Sequence, residues 1–228
     1  MFQFESLQIK GLSFESEEQK RSLKNINIHI TKDQCVAIVC KNKYEKDALS
    51  KIIQKCHAYE NGSIIINNQI SLNDISKKDW SKVICIVQEK VKIFPSHMLD
   101  NIILDEQTII EEEHAFEDIH ACIQEYGFEN FIQDLPQGYA TILGENGINL
   151  SDGQKRILAL IRVLYKRPQL LILDEFTSVM DRNTEQFVLQ LLRQLKNKMS
   201  IIFISTGLQP IKQIVDHIYV IENGETDK

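Results

Sequence analysis

Residues 149–175 read NLSDGQKRILALIRVLYKRPQLLILDE, and this stretch decides the fold. Its middle part, QKRILALIRVLYK (154–166), repeats apolar residues at the spacing of an amphipathic helix. The run LLILDE (170–175) then predicts a buried strand that ends in two carboxylates. Helices that alternate with buried strands indicate a parallel sheet, and ligands bind such sheets at the carboxyl ends of the strands. We therefore expect Asp174 and Glu175 to lie at a ligand-binding edge.

The chain on both sides of this stretch continues the alternation. Apolar runs that predict further buried strands are CVAIVC (35–40), VICIVQ (83–88) and SIIFIST (200–206). The pattern KDALSKIIQKCH predicts a helix that starts near residue 46. Alternating apolar and polar residues near the N-terminus predict an added antiparallel β layer. We expect one α/β domain, with a core lobe formed by 1–88 and 168–228 and a helical subdomain inserted at 89–167.

Composition narrows the class of protein. The 228 residues carry a net charge of −6 and no dense Lys/Arg block, which argues against a nucleic-acid partner. No apolar stretch approaches the roughly 20 residues needed to cross a bilayer. The five cysteines form no CxxC pair, which indicates a reducing, cytoplasmic compartment.

Two motifs stand at a characteristic spacing. LSDGQ (150–154) opens the helix of 154–166 and offers an anion the backbone amides of a helix N-terminus and the Ser151 hydroxyl. Asp174 lies 24 residues after the first residue of LSDGQ, with one helix and one strand between them. In these motifs the chain resembles the nucleotide-binding domain of ABC transporters, over essentially its whole length. TILGENG (141–147) resembles a short loop of the exporter branch, as in bacteriocin or lantibiotic exporters.

The resemblance implies a RecA-like P-loop NTPase core that uses ATP and Mg²⁺. In that comparison Asp174 would hold Mg²⁺, and Glu175 would be the catalytic base for the attacking water. Gln88 matches the glutamine loop, which touches Mg²⁺ and the membrane domain. SVMD (178–181) resembles the D-loop.

The phosphate loop departs from the family pattern G-x-x-G-x-G-K-[ST]-[ST]. Cys40, Lys43 and Glu45 replace the glycines, whose bare backbone lets amides wrap a phosphate. Asp47 replaces the hydroxyl that binds Mg²⁺, and only Lys46 survives. The positions expected around ATP in this loop are Lys41, Asn42, Lys43, Tyr44, Glu45, Lys46, Asp47 and Ala48.

We hypothesise that carboxylates of this loop stand in for the missing phosphate at the helix N-terminus. Glu45 and Asp47 would satisfy that end, with Lys46 paired to them or to Asp174. The alternative is an ordinary helix cap whose side chains are scattered in solvent. Thr206 stands where the family has a histidine on the γ-phosphate, which agrees with a degenerate site.

The family's domains form a head-to-tail dimer, in which each site uses the signature motif of the other subunit. The signature residues that this chain would donate, Ser151, Gly153 and Gln154, are nearly intact, although Asp152 replaces a glycine. The leading interpretation is an exporter domain that binds ATP weakly or not at all by itself. It would be the passive half beside a second ABC nucleotide-binding domain, in a homo- or heterodimer.

Two alternatives stay open. One is a residual Mg²⁺-ATPase in which Glu175 is the base, Asp174 and Asp47 hold Mg²⁺ and Lys46 contacts the phosphates. The other is a nucleotide-independent scaffold that docks an exporter's membrane domain through Gln88 and 141–147. In each case we expect a separate subunit or an excised domain at the cytoplasmic face of the cell membrane.

Overall fold

The computed structural model describes residues 3–16, 21–103, 112–144, 150–177 and 180–227. The strands are β1 (Ser6–Ser16), β2 (Arg21–Thr31), β3 (Cys35–Cys40), β4 (Asn61–Ile66), β5 (Ile70–Ser71), β6 (Ile84–Val87), β7 (Ser96–His97), β8 (Ile142–Leu143), β9 (Leu170–Asp174), β10 (Ser200–Ser205), β11 (His217–Glu222) and β12 (Glu225–Asp227). The helices are α1 (Lys43–Ile53), α2 (Lys77–Trp80), α3 (Met98–Ile103), α4 (Glu112–Tyr126), α5 (Glu129–Gln133), α6 (Asp152–Tyr165) and α7 (Arg182–Leu195).

The chain divides into two compact units. The first contains Met1–Gln88, Pro168–Ser178 and Gln186–Lys228, and the second contains Glu89–Arg167 and Val179–Glu185. In the described ranges, none of the helices is both long enough and apolar enough to cross a bilayer.

A six-stranded sheet forms the centre of the first unit, in the order β12-β11-β3-β10-β9-β6. The strands from β11 to β6 are parallel, and β12 is antiparallel to β11. Every residue of β3, β9 and β10 is buried, as expected for continuous apolar runs covered on both faces. The predicted α/β class with a parallel core is therefore confirmed, and the carboxyl ends of β3, β9 and β10 lie at one edge.

The antiparallel layer is also confirmed, as a sheet in the order β2-β1-β4-β5. Its alternating pattern places one apolar face inward, where Leu7, Ile28 and Ile64 are fully or almost fully buried. These residues belong to the same apolar core as Leu49 and Ile53 of α1. This core fixes α1 beneath the edge at which β3 ends.

The predicted start of α1 near residue 46 is wrong, because the helix begins at Lys43. Asn42 has an extended backbone (φ −125°, ψ 130°), and its side chain accepts a hydrogen bond from the Tyr44 amide at 2.9 Å. Asn is a preferred N-cap residue, and the residues after it include no glycine to oppose helical backbone. The segment expected to be a phosphate loop is therefore mostly the first turns of a helix.

The second unit contains α3 to α6 and the short β7–β8 ladder. Apolar faces of the long helices are buried here, including Ile119 and Ile123 of α4 and Leu158 and Ile161 of α6.

Candidate functional site

The two predicted carboxylates lie at the carboxyl end of β9. Asp174 is its last residue and is only 8% exposed. Glu175 follows with a positive φ of 48°, which is uncommon for a residue other than glycine and is found most often at functional sites. Its amide donates to the Ile204 carbonyl at 3.0 Å, so the turn is fixed to the neighbouring strand.

The Glu175 side chain is held by Thr206, the residue that stands where the family has a histidine. The backbone amide of Thr206, just after β10, donates to Glu175 Oε1 at 2.6 Å. A hydrogen bond from an amide to a carboxylate is among the stronger kinds in proteins. The proposed base is therefore held by the end of β10, and Thr206 contributes to the site through its backbone.

Lys46 is the most deeply buried charged residue of the site, with no exposed surface. Its Nζ lies 2.5 Å from Asp174 Oδ1 and 3.1 Å from Asp47 Oδ1. The expected pairing of Lys46 is thus present, with Asp174 as the closer partner. Glu45 is also only 7% exposed, so these side chains are not all scattered in solvent, whereas the helix N-terminus itself has an ordinary cap, Asn42.

The residues at the phosphate loop do not fit a bound triphosphate. The Tyr44 amide is used by the Asn42 cap, and the Lys46 amide donates to the Asn42 carbonyl at 3.1 Å. The Lys41 amide donates to the Ile221 carbonyl at 3.0 Å. Amides that would have to converge on a phosphate therefore already have acceptors, and side chains occupy the positions where glycines allow close approach.

A buried thiol at this edge lies close to several charged side chains. Cys40, at the end of β3, is buried, and burial followed by the charge of Glu45 raises its pKa to about 12. Lys46 lowers the pKa of this thiol, whereas Asp174 and Glu175 raise it further. The pKa of this thiol is therefore set by burial and by charged side chains from α1 and from the end of β9.

The residues implied for Mg²⁺ fit poorly as well. Asp174 and Asp47 do approach each other, but through the Lys46 ammonium that lies between them. Gln88 follows β6 and is exposed. Within the described residues, no group of three or more His, Cys, Asp or Glu side chains is placed to hold a metal ion.

The signature motif, in the second unit, has an intact helix N-terminus. Ser151 caps α6, accepting from the Gln154 amide at 3.1 Å, and the Gln154 side chain accepts from the Ser151 amide at 2.8 Å. This reciprocal capping box fixes the first turn of a 14-residue helix. Gly153 is buried, and a Cβ added there would lie 3.5 Å from Thr184 Cγ2, which is ordinary contact.

The substituted residue of the signature, Asp152, has a charge partner. Its Oδ1 lies 3.1 Å from Lys155 Nζ in an exposed pair one turn along α6. Nearby, Asp181 accepts from the Thr184 hydroxyl and amide and from the Asn183 amide, which caps α7. The hydrogen bond from the Thr184 side chain is the main reason that the pKa of Asp181 is lowered. The first two residues of SVMD lie outside the described residues.

Part of the predicted docking loop is described, as is one exposed apolar residue, Phe94, that the sequence analysis did not select. Thr141 and Leu143 are buried, Ile142 is 57% exposed, and 145–147 lie outside the described residues. The β7–β8 ladder pairs this segment with the loop that follows Gln88, where Phe94 is 44% exposed. Val91 and Ile93 are apolar neighbours in the same loop, so no signal in the sequence separates Phe94 from them.

A buried network holds that loop in place. Arg162 of α6 donates to the carbonyls of Lys92 and Asn101 at 2.6 and 2.5 Å and to Asn101 Oδ1 at 2.8 Å. Asn101 in turn donates to the Phe94 and His97 carbonyls and accepts from the Phe94 amide. Burial lowers the pKa of Arg162 to about 10, because desolvation disfavours the charged guanidinium.

Comparison with known proteins identifies the class that these features define. Residues 23–178 match the ABC transporter family, and the chain belongs to it. The motifs therefore predicted the family correctly, as an ABC transporter ATP-binding domain.

The relatives found by sequence are exporters. Over 96% of this chain it is 31% identical to an ATP-dependent lipid A-core flippase of Haemophilus influenzae and 29% identical to the alpha-hemolysin translocation ATP-binding protein HlyB of Escherichia coli O157:H7. It is likewise 31% identical to a putative export ATP-binding/permease protein of Rickettsia felis. The chain covers 37%, 30% and 37% of these three proteins, so it spans about a third of their length.

A solved structure agrees with the assignment. A bacterial Atm1-family ABC exporter with ATP bound is 25% identical and superposes with a TM-score of 0.83, covering 99% of this chain and 38% of that one.

Proposed function

We propose that this chain is the ATP-binding domain of an exporter and that its own nucleotide site is degenerate. It acts as the passive half of a pair and donates Ser151, Gly153 and Gln154 to the site of a competent partner domain. The observation that carries the proposal is the first turn of α1. Where a phosphate would need bare backbone, this turn presents side chains, capped amides and the buried Glu45 carboxylate.

The donated surface supports the second part of the proposal. The capping box holds the N-terminus of α6 in one geometry, and the Ser151 hydroxyl, which accepts in this box, still has a proton to donate to an anion supplied by another subunit. Lys155 offsets part of the charge of Asp152, so the substitution weakens this end of the helix less than an isolated carboxylate would. The contrast between the two sites favours donation over self-sufficient hydrolysis.

Docking to a membrane domain is the third part. Ile142 and Phe94 are exposed apolar residues on segments joined by the β7–β8 ladder, and Gln88 is exposed in the first unit. Relatives whose names join ATP-binding and permease functions are about three times as long as this chain. A membrane domain, in the same polypeptide or another, places the protein at the cytoplasmic face of the membrane. The relatives named here move lipid A-core or alpha-hemolysin, so we assign no cargo.

A titration of the purified chain with Mg²⁺-ATP tests the first part. We expect no saturable binding up to about 1 mM, which corresponds to a binding free energy weaker than about −4 kcal/mol. The matched variant carries Cys40→Gly, Lys43→Gly, Glu45→Gly and Asp47→Ser, which restores the family pattern except at Ala48 and is expected to gain binding. Tight binding by the wild-type chain with turnover that depends on Glu175 would instead support a residual ATPase.

The donation is tested by mixing with the competent ABC domain of the same exporter. A Ser151→Ala change is expected to lower the ATPase rate of the mixture, with Ser76→Ala as the control. Ser76 caps the short helix α2 in the same way but lies outside the signature. If Ser151→Ala leaves the rate of the mixture unchanged, the chain is a nucleotide-independent scaffold.

A further inference from the structure

A buried side chain of α3 holds the loop that carries Phe94. Asn101 has no exposed surface; its Oδ1 accepts from the Phe94 amide at 2.9 Å, and its Nδ2 donates to the Phe94 carbonyl at 3.0 Å. Nδ2 also donates to the Ser96 hydroxyl at 3.0 Å and to the His97 carbonyl at 3.1 Å. Asn101 therefore pairs with Phe94 as a neighbouring strand would, and it fixes the backbone of this exposed residue.

This loop and the segment 141–144 form one platform. The β7–β8 ladder pairs them, and the Met98 amide donates to the Thr141 carbonyl at 2.8 Å. We call 94–98 and 141–144 together the docking platform, because it carries both exposed apolar residues that the proposed function assigns to contact with a membrane domain. Displacing one of the two segments therefore displaces the other.

Arg162 connects the docking platform to α6. Its guanidinium donates to the Lys92 carbonyl at 2.6 Å, to the Asn101 carbonyl at 2.5 Å and to Asn101 Oδ1 at 2.8 Å. Arg162 is only 8% exposed, so water does not readily replace these partners. If the loop moved alone, a buried cation and buried carbonyls would lose their hydrogen bonds, which is costly. We therefore expect the docking platform and α6 to move together.

Helix α6 carries the signature residues at its other end. Ser151 caps the first turn, and Arg162 lies 11 positions later, which at 1.5 Å per residue is roughly 16 Å along the helix axis. Between them Leu158 and Ile161 are buried, and α6 packs against α3. A helix with continuous backbone hydrogen bonds and a buried face moves as a unit, so a displacement at Arg162 reaches Ser151.

We infer that Asn101 and Arg162 are positioning residues, which couple contact of a membrane domain with the docking platform to the placement of Ser151 at a partner's nucleotide site. Asn101 acts through the backbone of Phe94, and Arg162 acts through α6. The inference rests on the proposed function and deepens it, since it names how the membrane domain regulates donation of the signature. Coupling is reciprocal, so a correctly placed signature also strengthens contact at the docking platform.

The test measures the ATPase rate of each variant in two preparations. One is the exporter assembled with its membrane domain in lipid vesicles, and the other is the mixture of this chain with the competent ABC domain alone. Arg162→Lys keeps the charge, but one ammonium cannot reproduce a guanidinium fork that reaches two residues. We expect this change to lower the rate at least about fivefold in the exporter and less than about twofold in the mixture, where no membrane domain occupies the docking platform.

Asn101→Asp is the matched second variant. The carboxylate keeps the shape and still accepts from the Phe94 amide and from Arg162, but it places an oxygen where Nδ2 donates to the Phe94 and His97 carbonyls. We expect the same difference between the exporter and the mixture. Arg193→Lys is the control, since Arg193 of α7 is exposed and lies outside the network, and it is expected to change neither rate.

Amide hydrogen exchange of the wild-type chain tests the coupling without a buried substitution, so the inference stays testable if a variant does not fold. Relative to the mixture, the assembled exporter is expected to slow exchange at the Phe94 amide and also at the Gln154 amide, which Ser151 caps at the start of α6. Coupling of the usual size slows exchange at both amides by at least about fivefold.

Three results would overturn the inference. One is an equal loss of rate in both preparations, which would mean that Arg162 only supports the fold of α6. The others are an unchanged rate of the exporter and slower exchange at Phe94 alone. A failure of the proposed function is read separately, from Ser151→Ala in the mixture.

Discussion

The buried ion pair between Lys46 and Asp174 makes a quantitative prediction about stability. At 2.5 Å and an effective dielectric constant of about 20, the attraction between unit charges is roughly 7 kcal/mol before desolvation is subtracted. The cost of desolvating the two charges offsets much of this attraction. The loss of stability when one partner is removed and the other stays buried is therefore the better quantity to measure. We expect Lys46→Met to lower the free energy of unfolding by about 3–5 kcal/mol, because Asp174 keeps a buried charge without its ammonium.

Asp47 contributes much less to this number. Its side chain is 39% exposed, and exposed ion pairs contribute about 0–1 kcal/mol because water screens them. A double-mutant cycle with Asp174→Leu therefore isolates the main interaction. We expect the double variant to lose less than the sum of the two single losses, by about 2 kcal/mol.

Urea denaturation followed by tryptophan fluorescence is the assay. Trp80 is the only tryptophan of the chain, is buried in the first unit and donates from its indole nitrogen to the carbonyl of Ile53 in α1 at 2.8 Å. It therefore reports on the unit that contains the pair. The control is the exposed pair Lys82–Asp79, whose removal is expected to leave the urea midpoint unchanged. Single losses that simply add would refute the coupling.

Two further predictions concern the loop ends and the buried thiol. Gly144→Ala is expected to lower the free energy of unfolding by about 2–4 kcal/mol, since a Cβ there would lie 2.6 Å from Pro95 Cα at a φ of 128°. Gly138→Ala, where no atom lies nearer than 3.8 Å to the added Cβ, should lower it by only about 1–2 kcal/mol. Equal shifts of the thermal midpoint for the two variants would refute the clash. At pH 8 a thiol reagent should label the exposed Cys56 but leave Cys40 unmodified in the folded chain, because burial raises the pKa of Cys40 from 9.0 to about 12. Labelling of Cys40 as fast as Cys56 would contradict the burial of Cys40. Because the pKa of Cys40 is raised in the folded chain, the free energy of unfolding falls as the pH rises from about 9 towards 12.

The sequence predicted the sheet and the family well, because both leave periodic or local traces. The buried runs of β3, β9 and β10 are continuous and apolar, and the spacing between LSDGQ and Asp174 is specific. Lys46 matches the lysine of the family's phosphate-loop pattern, and its pairing with Asp174 was among the expected arrangements. These features depend on residue type at a fixed offset.

Other features were missed because they depend on backbone groups far along the chain. The start of α1 depended on the Asn42 side chain, a cap that competes with the loop expected at that place. Thr206 holds Glu175 by an amide, which every non-proline residue possesses, so the side chain gave no signal. Arg162 donates to carbonyl oxygens that lie 61 and 70 positions away in sequence, and Asn101 donates to carbonyls close to it. Every residue has a backbone carbonyl, so these contacts leave no signature in the sequence.

In the proposed function, the cluster of Lys46 with its two aspartates makes recovery of nucleotide binding by single mutations difficult. Restoring a single glycine in α1 would weaken the helix and leave Lys46 paired with Asp174. Breaking that ion pair first would cause a large loss of stability. Each order of substitution therefore passes through a less stable protein, so several changes would have to be made together.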